Sequence, residues 1–106
     1  MRERKRGRLE AEGWRVGTAS EFLGLSPEEG AFVELKLALA DYLRKLRTER
    51  GWTQTLVAKR LRSSQSRVAK MEAADPSVSV DLLVRSLLTL GASRRDVGRV
   101  IGSPAA

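Results

Sequence analysis

The stretch Thr53–Glu72, TQTLVAKRLRSSQSRVAKME, decides the architecture of this 106-residue chain. Thr53 can cap a helix. Trp52 before it and Val57 four positions into the helix have the spacing of a hydrophobic staple. This helix ends near Leu61. Arg62, Ser63 and Ser64 then form a three-residue turn, and Ser64 caps a second short helix that runs through Glu72. Val57 and Leu61 give the first helix an inner face, Val68 and Met71 do the same for the second, and Ala58 is small where the two must approach. Those apolar positions would suit any helical hairpin. The outward positions are more selective. The second helix opens Gln65-Ser66-Arg67 and continues to Lys70, with no acid until Glu72.

Two short helices joined by a three-residue turn have the spacing of a helix-turn-helix. In that unit the first residues of the second helix meet base edges in the major groove. Gln pairs bidentately with adenine and Arg with guanine. The expected base contacts are therefore Gln65, Ser66, Arg67 and Lys70. Gln54 and Thr55 open the first helix, whose free backbone N–H groups favour phosphate. Arg62, Ser64 and Arg50 complete the expected phosphate contacts. Arg62 falls where such turns often carry Gly, and a non-Gly residue is disfavoured at positive φ. A wider turn or a longer first helix is the expectation there.

Outward from this unit the whole chain reads as helix. Thr18 and Glu21 are spaced as a capping box for a short helix through Phe22 and Leu23, closed by Gly24, and Trp14–Val16 is the one short strand-like piece. Ser26, with Pro27 at the first position and Glu29 completing a capping box, opens a long helix to about Arg50, with Gly51 as the stop. On it Phe32, Leu35, Leu39, Tyr42 and Leu46 recur at spacings of 3, 4, 3 and 4, one buried stripe. Val33, Leu37 and Ala40 form a second stripe, which the N-terminal 25 residues or another subunit can cover. After Thr53–Glu72, Ala73–Ser77 is a loop, since Pro76 disfavours helix at Asp75. Ser79 caps a helix with Val80, Leu83, Leu87 and Leu90 on one face, ended by Gly91. Ser93 and Asp96 open a last helix carrying Val97, Val100 and Ile101. The expected fold is all-α, a bundle of about five to six helices: an N-terminal extension over 1–30, a helix-turn-helix domain over 31–102 and a tail over 103–106.

Charge points the same way. The chain carries 20 Lys and Arg against 13 Asp and Glu, a formal +7. Nine of the basic residues lie between Arg44 and Lys70 with only Glu49 opposing them, which leaves 11 basic against 12 acidic elsewhere. The positive field thus comes from one central segment, and nucleic acid is the commonest polyanion such a block attracts. A second block, Arg2, Arg4, Lys5, Arg6 and Arg8, reads as a tail or a frayed helix start, with a phosphate-contacting arm as the alternative. There is no Cys and no His, which removes disulfides, thiolate chemistry, the usual general base and most zinc sites. Ser64 and Ser66 are the nucleophile candidates of the central motif, and neither has a recognisable base beside it. The expectation is a non-enzymatic cytoplasmic binding module without cofactor or metal, and without a membrane span, since no stretch approaches the roughly 20 apolar residues one needs.

LRTERGWTQTLVAKRL (Leu46–Leu61), SSQSRVAKME (Ser63–Glu72) and DPSVSVDLL (Asp75–Leu83) resemble the Cro and lambda-repressor-like helix-turn-helix family of the Xre type. Within it, GWRVGTASEFLGLSPEEGAFVELKLAL (Gly13–Leu39) and the run Ser64–Ser93 are most similar to HigA-type antitoxins of toxin–antitoxin pairs. The resemblance implies a homodimer on a double-stranded DNA operator of two-fold symmetry. It also implies autorepression and neutralisation of a RelE-fold ribonuclease toxin. Glu10, Glu12, Glu21, Glu28, Glu29 and Glu34 give the N-terminal region an acidity suited to such a basic partner. A free-standing repressor without a toxin and a protein–protein module that keeps the fold as scaffold are the alternatives.

Overall fold

A computed structural model describes residues 24–103. Within them five helices follow one another: α1 (Pro27–Glu49), α2 (Gln54–Leu61), α3 (Gln65–Glu72), α4 (Val80–Thr89) and α5 (Arg94–Gly102). No strand occurs among the described residues. The expected Thr18–Leu23 helix and the Trp14–Val16 piece lie outside them.

Each helix begins where hydroxyl chemistry places it. Ser26 Oγ accepts the Glu29 amide at 3.2 Å while Glu29 Oε1 accepts the Ser26 amide at 2.8 Å, a reciprocal capping box. Thr53, Ser64 and Ser79 accept the amides of Leu56, Arg67 and Leu82 at 3.0, 3.1 and 3.0 Å. Ser93 and Asp96 form a second box. There the Ser93 backbone N–H, then Arg99 and the Ser93 hydroxyl, pull the Asp96 carboxyl down to about 2.

The ends of the first four helices share one device. The first or second residue after the helix turns left-handed, and the next amide reaches back to a carbonyl five residues earlier. These bonds run from Trp52 to Arg47 (3.0 Å), Ser63 to Ala58 (2.8 Å), Asp75 to Lys70 (3.0 Å) and Ala92 to Leu87 (3.0 Å). Gly51 and Gly91 supply the left-handed residue for α1 and α4 at φ 70° and 107°. At α2 it is Arg62, at φ 56° and ψ 48°, and at α3 it is Ala74, at φ 53°. The expected wider turn or longer first helix is thus corrected. Arg62 takes the strained conformation, and the turn keeps its three residues.

Leu39, Leu43, Val57, Val68, Met71, Val78, Leu83 and Leu87 are at most 1% exposed and form the centre of the core. α1 packs against α3, α4 and α5, and α2 packs against α3 and α4. The seam of α1 departs from the expected stripe. Phe32 is 52% exposed, and Leu43 occupies the buried centre beside a half-buried Tyr42. Positions 42 and 43 share one sector of the helix, and the phenol belongs at its wet edge, where its O–H meets water. Leu37 is also exposed, as is Ile101 at the end of α5. No described helix is long and apolar enough to cross a membrane.

Candidate nucleic-acid interface

Val68 and Met71 hold the inner face of α3 in the core, which leaves Gln65, Ser66, Arg67 and Lys70 exposed on the outside. Ser64 is fixed as the cap, and its hydroxyl lies 3.4 Å from that of Ser66. The Arg62 and Arg67 guanidiniums have no hydrogen-bond or ion-pair partner among the described residues.

The two glutamines at the helix starts are joined. Gln65 Nε2 donates to Gln54 Oε1 at 2.6 Å, and Gln54 Nε2 donates to Glu72 Oε1 at 3.1 Å. Glu72 in turn accepts both edges of Arg47, from Nε at 2.6 Å and from Nη2 at 3.0 Å, while Arg47 Nη1 donates to the Trp52 carbonyl at 3.1 Å. The Glu72 side chain is 6% exposed and that of Arg47 16%. Each charge is therefore largely desolvated and satisfied by the other. The hydrogen bond to Glu72, opposed by burial, raises the Arg47 guanidinium above its ordinary value. From a buried ion pair, a chain of side-chain hydrogen bonds runs out to the first exposed residue of α3. Gln65 and Glu72 are seven residues apart, two turns along one face, which lets Gln54 touch both.

Thr55 is exposed at the second position of α2. Arg50 is held elsewhere: its Nη1 donates to the Leu90 carbonyl at the end of α4 at 3.1 Å, and its guanidinium lies 5.2 Å from the centre of the Trp52 ring. Arg60 lies over the same ring at 4.4 Å. Arg60, Arg62 and Arg67 converge on a groove beside α4, joined there by Arg85. Sequence reasoning missed Arg47, Glu72 and Arg60 as parts of this surface, and Arg85 as a residue of the groove beside it. Glu72 carried a signal, being the single acid of α3 and in phase with Gln65. Arg47 and Arg85 carried none, because the bond from Arg47 to Glu72 spans 25 residues and Arg85 reaches the groove from another helix. Among the described residues no cluster of His, Cys, Asp or Glu could hold a metal ion.

The sequence model of a family described as a helix-turn-helix domain matches residues 38–102. No curated protein and no solved structure matches the chain.

Proposed function

This chain belongs to the helix-turn-helix domain family, a fold of DNA-binding transcription regulators, and on that premise we propose that it represses transcription by seating α3 in the major groove of an operator. Gln65 reads adenine, Arg67 and Lys70 reach guanine or the neighbouring backbone, and Ser66 meets the adjoining base edge. Gln54, Thr55, Ser64 and Arg62 contact phosphates at the starts of α2 and α3 and in the turn. Arg50 would join them only on leaving the Leu90 carbonyl. A homodimer would place two such helices roughly 34 Å apart, one turn of the duplex.

The observation that carries this reading is the Gln65 amide. It is exposed at the head of α3 yet pinned at 2.6 Å by Gln54, amid a segment where nine basic residues face a single acid. A solvated surface helix does not need its first polar side chain held. A base reader does, because a bidentate contact is lost when the amide rotates.

The test is quantitative binding to the DNA upstream of the chain's own gene. With about four phosphates neutralised per subunit, affinity of the dimer falls with a log–log salt slope of about −7. Arg67→Ala costs about 1–3 kcal/mol and relaxes preference at one base pair. Gln65→Ala relaxes another. Absence of a salt-dependent complex, or no sequence preference in the wild type, would leave a scaffold without DNA recognition.

A second reading is the antitoxin one, with neutralisation of a RelE-fold ribonuclease. It is carried by the resemblance of Gly13–Leu39 and favoured by two exposed apolar side chains on α1, Phe32 and Leu37. A partner protein seated there would bury both.

A further inference from the structure

We propose that the groove between the α2–α3 turn and α4 binds a nucleoside diphosphate. The groove has a volume of about 480 Å³, within the range of small-molecule sites. Four arginines are among its lining residues: Arg60 from α2, Arg62 from the turn, Arg67 from α3 and Arg85 from α4. No carboxylate is among its lining residues. Gathering four cations without a counter-charge is unfavourable, and beyond the Trp52 ring over which Arg60 lies the fold does little to relieve it. Arg62 and Arg67 have no partner among the described residues. Arg85 meets Asp81 at 3.4 Å with both side chains 75% exposed, a pairing worth little in water. Arg62 is moreover brought to the rim by a left-handed backbone that a side chain disfavours.

The chemistry of the walls narrows the ligand. Guanidinium forks match phosphate oxygens bidentately, and several of them at one place match two adjacent phosphates better than one. Its apolar lining residues are the half-buried Leu61 and Leu82 and the almost fully buried Met71. Apolar side chains have no use for a duplex backbone, which offers only sugar and singly charged phosphates, but they suit the flat face of a base. Ser63 and Ser86 are also among the lining residues and carry hydroxyls. Arg67 is shared with the α3 row, so ligand and DNA would compete for it. By linkage each would weaken the other. This consequence, unlike the site itself, rests on the proposed DNA reading.

The full chain with Trp14→Phe leaves Trp52 as the one tryptophan of two, and Arg60 over its ring at 4.4 Å makes its fluorescence a reporter of the groove. Titration with ADP, GDP, CDP and UDP, checked by calorimetry, is expected to give saturable binding by at least one, with Kd on the order of 0.1 mM. Inorganic pyrophosphate should bind about tenfold more weakly. Arg85→Gln, at an exposed position outside the DNA row, should weaken the nucleotide about tenfold while DNA affinity stays within about twofold. The site reading fails if all four nucleotides fail to saturate. It also fails if pyrophosphate binds as tightly as the nucleotides, so that no base is seated, or if Arg85→Gln weakens DNA as much as nucleotide, which would make the groove a backbone contact. Nucleotide binding is measured without DNA. A wild type that binds nucleotide but no DNA therefore overturns the proposed function and leaves the groove standing.

Discussion

At the C-terminal end of α3, Glu72 takes both edges of Arg47 at 2.6 and 3.0 Å; near its N-terminal end, Arg67 lines an open groove without a partner among the described residues. The same guanidinium chemistry serves two purposes because the solvent differs. A charge removed from water must be paired, since an orphan costs several kcal/mol, and the pair then becomes a fixed point. A charge left in water needs no partner and stays available for a ligand. The closed end sets the pose of α3, and through Gln54 it sets the aim of Gln65. The open end supplies the attraction.

The largest expected effect breaks the closed end. Glu72→Ala strands Arg47 and should destabilise the fold by roughly 3 kcal/mol, near the low end for a buried pair because Arg47 keeps some contact with water. Arg67→Ala, by contrast, should move stability by no more than about 0.5 kcal/mol. Urea unfolding of the two variants compares the ends directly, and equal small losses would erase the distinction. Replacing the pair together, Arg47→Met with Glu72→Leu, should recover most of the stability. It would still leave Gln54 without its acceptor, so operator affinity should stay low while the fold returns.

A smaller effect tests whether the link between the ends carries aim. Gln54→Ala removes one bond to Glu72 and one to Gln65, for a loss of about 1 kcal/mol in stability. In operator binding it should relax the same base pair as Gln65→Ala. A double-mutant cycle should then show a coupling of about 0.5–1 kcal/mol between the two. Strictly additive losses would mean that the two glutamines act independently.

Much of this arrangement was legible in the sequence where the physics is local. Ser26, Thr53, Ser64, Ser79 and Ser93 each cap the helix they announce, because a cap needs only a hydroxyl and an amide two or three residues on. The exposed row Gln65, Ser66, Arg67 and Lys70 was legible for a similar reason: the core positions Val68 and Met71 fix which way a short helix faces. What escaped was non-local. Amphipathic spacing reports the buried face of α1 but not how far along the helix its partners reach, so Phe32 was placed in a stripe that leaves it exposed. The Arg47–Glu72 pair spans 25 residues, and Arg85 meets the α3 arginines only because α4 packs back beside the turn.

The turn at Arg62 escaped for a different reason, and it yields the smallest and most controlled comparison. Four helices end by the same backbone device, two on glycine and two on residues that resist it. The scaffold helices α1 and α4 use Gly51 and Gly91, while both boundaries of α3, at Arg62 and Ala74, carry the strain. A left-handed non-Gly residue costs about 1–2 kcal/mol. Glycine offsets part of that gain by its greater freedom in the unfolded chain, about 0.5–1 kcal/mol. Ala74→Gly and Arg62→Gly should therefore each stabilise by about 0.5 kcal/mol, seen as a raised urea midpoint at constant slope. The converse, Gly51→Ala, should destabilise by about as much. The two stabilised variants then part company. Ala74→Gly removes no charge and should keep full affinity for DNA and nucleotide. Arg62→Gly should lose affinity for both while folding more firmly, because its side chain is the reason the strain is tolerated. If Arg62→Gly bound both ligands like the wild type, the left-handed arginine would be an accident of sequence with no bearing on the open end of α3.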